Sequence, residues 1–63
     1  MNTTLLLSTI LDQQNTTIGK LDTAIEQDDL NATLYLFGQL DVLEALASIL
    51  SAAFALETLA TLN

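Results

Sequence analysis

Along the first half of the chain, Thr4, Leu7, Leu11, Gln14, Ile18, Leu21 and Ile25 recur at alternating intervals of three and four residues. That spacing returns side chains to one side of an α-helix and makes a heptad-like seam. Leu6, Ile10, Thr17 and Ala24 lie beside the seam and widen it, while Asp12, Gln13, Thr16, Lys20, Thr23 and Gln27 fall on the opposite face. The pattern predicts one amphipathic helix from about Thr3 to Gln27. Asn2, Thr3 or Thr4 can cap its N-terminus, because each offers a side-chain oxygen to an unpaired amide of the first turn. The segment NTTIGK, residues 15–20, is its weak point: Asn, Thr and Gly are poor helix formers, and Gly costs about 1 kcal/mol relative to Ala. The hydrophobic period passes through this segment without a change of phase, so a break there is the lesser expectation.

The second half carries two adjacent apolar seams. Leu36, Leu40, Leu43, Ala47, Leu50 and Phe54 form one; Val42, Leu46, Ile49, Ala53, Leu56 and Ala60 form the other. Together they span roughly 200° of a helix, about twice the usual stripe. Asp41, Glu44, Ser48, Ser51, Ala55 and Thr58 occupy the rest. Before Leu36 the apolar side turns: Leu30, Leu34 and Phe37 lie nearly opposite the main stripe, with Gly38 where the change occurs. A helix over about residues 30–62 is predicted, with a bend at Gly38 as its alternative. Between the two helices stands QDDLN, residues 27–31. Asp28 or Asp29 can cap the second helix, and its carboxylate favours the positive end of the helix dipole. A connection this short makes the helices antiparallel neighbours. The expected fold is therefore an all-α antiparallel helical hairpin, residues 1–63 forming a single domain.

One helix can cover one seam of its neighbour. The second seam calls for another chain, and two hairpins paired by a two-fold axis would make a four-helix bundle. A homo-oligomer, with the dimer favoured, is the expected state. Its contact residues would come from Leu36, Leu40, Val42, Leu43, Leu46, Ile49, Leu50, Ala53, Phe54 and Leu56. Length points the same way. A chain of 63 residues buries only about 60% of the surface its unfolded form exposes, and small folds usually add disulfides, a metal or a partner. The chain has no Cys and no His, which removes disulfides and ordinary zinc sites.

Charge narrows the function classes. Eight acids face one base, Lys20, for a net charge of −7. Nucleic-acid backbones and anionic membrane surfaces are both bound through Lys and Arg, so neither is an expected partner. A transmembrane span is also not expected. The longest uncharged run, Ala45 to Leu56, is bounded by Glu44 and Glu57 and has no basic flanks, whereas a span needs about 20 apolar residues. The N-terminal MNTTLLLSTILDQQ lacks the basic start of a signal peptide and reads as helix. The Asn-x-Thr triplets at Asn2, Asn15 and Asn31 read as chance. The absence of Cys fits a reducing compartment, and the expected location is cytoplasmic.

The chemistry-bearing residues are few. Gln14 and Gln39 fall within apolar arcs, where a buried polar residue sets register or oligomer state; the plainer reading is an exposed bundle edge. In the buried reading the two bond each other in the core. Glu57 also falls in the arc, as a solvated helix end or a carboxylate held in a pocket. A single Glu with no nearby nucleophile is not a catalytic constellation. Asp22, Glu26, Asp28 and Asp29 cluster at the turn, either as a solvated end or as a contact for a cation or basic partner. Their spacing is not that of an EF-hand loop. Tyr35 and Phe37 are core or docking aromatics. No catalytic residue, cofactor or metal is expected.

Length and layout resemble the small dimeric helical hairpins of the Rop type. The resemblance is architectural and does not carry function; with one base, RNA binding of that kind is not implied. The expected role is a non-enzymatic adaptor, small chaperone or inhibitor of a regulator, suited by size to a bacterial or phage accessory protein. The alternative is a structural or membrane-associated assembly subunit, and a DNA-mimic inhibitor is the minor one. Leu43→Asp, Leu46→Asp or Ile49→Asp should abolish assembly; a helical chain of unchanged mass in solution would refute the expectation.

Overall fold

The computed structural model describes residues 2–62 and consists of two helices, α1 over Thr3–Glu26 and α2 over Leu30–Leu62. The chain is an all-α helical hairpin. Both helices are continuous. α1 runs through Asn15–Gly19 and α2 runs through Gly38 without interruption. Within the weak segment and after it, the hydroxyls of Thr16 and Thr23 donate back to the carbonyls of Asp12 and Gly19 at 3.1 and 3.2 Å. The helical ladder thus keeps these side chains rather than losing its backbone to them.

Local side-chain chemistry sets the ends. Asn2 caps α1, its side-chain oxygen accepting the amide of Leu5 at 3.0 Å. At the other end the chain reverses through three residues. The amide of Asp28 donates to Ile25 at 3.1 Å, and that of Asp29 reaches back five residues to Ala24 at 2.9 Å. Between them Asp28 takes φ 53°, in the left-handed region. This pair of bonds is the Schellman arrangement, which satisfies the last carbonyls of a helix and usually places Gly at the left-handed position. Asp tolerates that conformation better than most side chains. Asp29 then starts α2: its carboxylate accepts the amide of Ala32 at 3.1 Å, and its carbonyl accepts the Thr33 hydroxyl at 2.7 Å. The two acids divide the work, Asp28 ending one helix and Asp29 capping the next.

The packing seam of α1 is Thr3, Leu7, Ile10, Gln14, Thr17, Leu21 and Ala24, all buried or half-buried. The expected seam is corrected in phase: Thr4, Leu11, Ile18 and Ile25 are exposed, and Thr3, Ile10, Thr17 and Ala24 take their places. Size explains the rotation. Small residues let two helices approach, and large side chains from the neighbour then fill the space above them. Buried Ala24 packs with Leu21 and Leu36, with Ala32 alongside, and small Thr17 lines the same groove as Leu43. The matching surface of α2 is Ala32, Thr33, Leu36, Leu40, Leu43, Ala47, Leu50 and Ala53. The apolar core cluster, Leu21, Ala24 and Leu36, lies near the turn. The result is a rod of 53 × 14 × 14 Å.

Two substitutions test the turn. Asp29→Ala removes a cap and should cost about 1 kcal/mol. Asp28→Gly relieves a left-handed non-Gly residue and should stabilise by about 0.5–1 kcal/mol. Thermal melts at fixed protein concentration should move in opposite directions, by about 4–8 °C per kcal/mol; a destabilised Asp28→Gly chain would contradict the role assigned to the left-handed turn.

Candidate interaction face

Two helices side by side leave a groove on each side of their contact. On one side, toward the turn, Gln13, Thr16, Thr17 and Lys20 of α1 and Leu34, Tyr35, Gly38, Gln39, Val42 and Leu43 of α2 line an open groove of about 590 Å³. The rotation of the α1 seam creates this arrangement. Gln13, Thr16 and Lys20, expected on the far face of the helix, stand instead at the groove. The small side chains at positions 17 and 24 were the signal that could have placed them. Along α2, residues three and four apart extend the line from Val42 through Leu46, Ile49, Ala53, Leu56 and Ala60. Val42, Ile49 and Leu56 are 60%, 65% and 67% exposed.

The residues expected at an oligomer interface therefore divide into two sets. Leu36 is buried against α1, and Leu40, Leu43, Leu50 and Ala53 are half-buried in the same seam. Val42, Leu46, Ile49, Leu56 and Phe54 are exposed. Of the aspartate substitutions considered above, Leu43→Asp strikes the hairpin seam itself, whereas Ile49→Asp strikes the open face. On the other side of α1, Leu11, Ile18 and Ile25 form a shorter exposed stripe.

The expected glutamine pair is corrected. Gln14 is half-buried in the α1 seam, but Gln39 is exposed and donates to the Tyr35 hydroxyl at 3.1 Å, one turn earlier on the same helix. Antiparallel helices place Gln14 beyond Leu43 and Gln39 beside Lys20, so about two turns separate them. Tyr35 and Phe37 are both exposed.

Glu57 joins the two ends of the chain. The hydroxyl of Thr3, itself 2% exposed, donates to its Oε1 at 2.7 Å. This is a clasp at the open end of the hairpin, between residues 54 apart in sequence. Among the described residues the bond occupies one carboxylate oxygen and leaves the other. Asp22, Glu26, Asp28 and Asp29 are exposed at the turn; among the described residues no group of three or more His, Cys, Asp or Glu is placed to hold a metal ion.

By length and composition, α2 is able to cross a membrane: its most apolar 18-residue stretch has a mean hydropathy of 1.7, and none of that stretch is buried. Among known proteins, no family, curated protein or solved structure matches the chain.

The clasp gives a local prediction. Thr3→Val should cost about 1 kcal/mol and speed amide exchange in the last turns of α2 about fivefold, whereas Glu57→Gln, which keeps an acceptor oxygen, should leave exchange near the parent rate. Equal effects of the two substitutions would mean that the hydrogen bond does not hold the ends.

Proposed function

We propose that this chain is a non-enzymatic hairpin that works through protein–protein contact and self-association, in the manner of an adaptor, small chaperone or inhibitor of a regulator. The observation that carries the reading is the open stripe of α2. Val42, Ile49 and Leu56 lie in line and stand more than half exposed. Fully burying one such side chain yields about 1.5–3 kcal/mol, so a partner covering the stripe gains several times that amount. Contiguous apolar stripes of this length mark interaction surfaces rather than ordinary monomer surface. Helix-in-groove contact is the fitting mode, because the stripe repeats at three- and four-residue intervals.

A membrane-associated assembly subunit is the second reading, favoured by the hydropathy of α2 and the lack of burial in its most apolar stretch. Against it stands the charge: one base and eight acids give an interface helix no attraction to anionic lipid.

Absolute mass by light scattering across a concentration series, run beside flotation with neutral and anionic vesicles, separates the readings. The proposal expects a defined oligomer in solution that stays at the bottom of the flotation gradient. A chain that floats with vesicles, or remains at 6.8 kDa at every concentration, would overturn self-association.

A further inference from the structure

The geometry points to a two-fold homodimer in which the Lys20 side of one hairpin packs on the same side of a second copy, with the turn of each beside the open end of the other. This rests on the reading of the chain as self-associating and adds the face, the occupant and the orientation.

Surface area argues for a second copy. A folded monomer of 6.8 kDa exposes about 4,000 Å², whereas the hairpin exposes 4685 Å². The excess, about 700 Å², is close to the ~800 Å² that each partner buries in a standard interface. The excess has a shape: the rod is 53 Å long and 14 Å thick, and stacking a second rod along its side removes the most surface.

Charge selects the face. Lys20 lines the groove on this side, and Val42, Leu46, Ile49, Ala53, Leu56 and Ala60 continue it as an uncharged line. Asp12, Asp22 and Glu26 on α1, and Asp41 and Glu44 on α2, are set on other stripes by their spacing. Glu57 is the only acid at the edge of the line. A basic protein would find no acidic row here, and an anionic lipid surface would find one lysine. A surface that is apolar and almost uncharged fits another of its own kind.

Charge also selects the orientation. Four of the eight acids, Asp22, Glu26, Asp28 and Asp29, lie at the turn. Packing turn against turn would bring eight carboxylates together. Packing turn against open end moves the two clusters apart by much of the 53 Å rod, far beyond the Debye length of about 8 Å. The same orientation brings unlike charges level. Lys20 and Gln39 share the groove, and Thr3 meets Glu57, so Lys20 lies about 17 residues of α2 from the clasp, roughly 26 Å. A two-fold axis near Ser48 and Ile49 sets Lys20 level with Glu57 of the second copy, whose Oε2 the clasp leaves open. It also lays Leu59 and Leu62, both exposed, along the Leu34 and Tyr35 end of the other chain.

The chain contains no Cys, so single cysteines report this geometry without background. In the full chain, Ile49→Cys sits near the axis and should give a covalent dimer of twice 6.8 kDa on mild oxidation. Val42→Cys and Leu56→Cys each lie about 20 Å from their own copy, beyond disulfide reach of roughly 7 Å, and neither should cross-link alone. Mixing those two variants should produce the cross-link, because the axis places position 42 opposite position 55. Ile18→Cys, on the other side of α1, should remain monomeric on a denaturing gel. Self-linking at positions 42, 49 and 56 alike would show turn-beside-turn packing and overturn the orientation. Linking at position 18 alone would overturn the face while leaving self-association intact. A parent chain that is monomeric at all concentrations, or that floats with vesicles, would overturn this inference together with the reading beneath it.

Discussion

Two helices lying side by side cover one stripe of each other, and among the described residues no third element lies over the remainder. In this hairpin that limit leaves Thr3, Thr17, Leu21, Ala24 and Leu36 as the buried residues among those described. Among the described residues no large side chain is fully enclosed. α2 is nonetheless apolar around most of its circumference, carrying exposed residues from Leu30 to Leu62. A single hairpin satisfies one of its two seams. The hydrophobic effect is proportional to area removed from water, so the second seam is a standing source of association energy.

The acids are set apart from such a surface. They gather at the turn and along the outer stripes, away from the line through Val42, Ile49 and Leu56. Apolar area and charge are thus separated around the rod and along it. Net charge far from zero opposes indiscriminate clumping, while the uncharged line remains able to make a specific contact. Within the acidic cluster, Asp28 and Asp29 serve the turn through backbone conformation and a cap.

The hairpin was legible because its signals agree. Helical periodicity runs on both sides of QDDLN, and the two aspartates are the residues such a reversal favours. The phase of α1 was not legible in the same way. Apolar or small residues stand in adjacent pairs, Ile10 with Leu11, Thr17 with Ile18 and Ala24 with Ile25. Bulk alone selects the second member of each later pair, whereas close approach of two helices selects the smaller first member. That choice depends on the large leucines of α2 and cannot be read from α1 in isolation. The placement of Lys20 and Gln13 at the groove follows from the same rotation. On α2 the surface that α1 covers follows the first expected seam as far as Leu50, after which Ala53 of the second seam is half-buried and Phe54 is exposed. The pairing of Gln14 with Gln39 failed because it used helical face without antiparallel level, which keeps the two about two turns apart.

The position of the apolar core along the rod bears on how the chain reaches this shape. The core cluster joins Ala24 to Leu36, only twelve residues apart, directly across the left-handed turn at Asp28. The clasp from Thr3 to Glu57 closes a loop of 54 residues. Closing the longer loop from an open chain costs about 1.3 kcal/mol more in chain entropy than closing the shorter one, and returns one hydrogen bond rather than an apolar cluster. Helix pairing is therefore least costly to begin at the turn and to propagate outward, each heptad shortening the next closure. Such local, sequential contacts place the hairpin among chains that fold in microseconds to milliseconds.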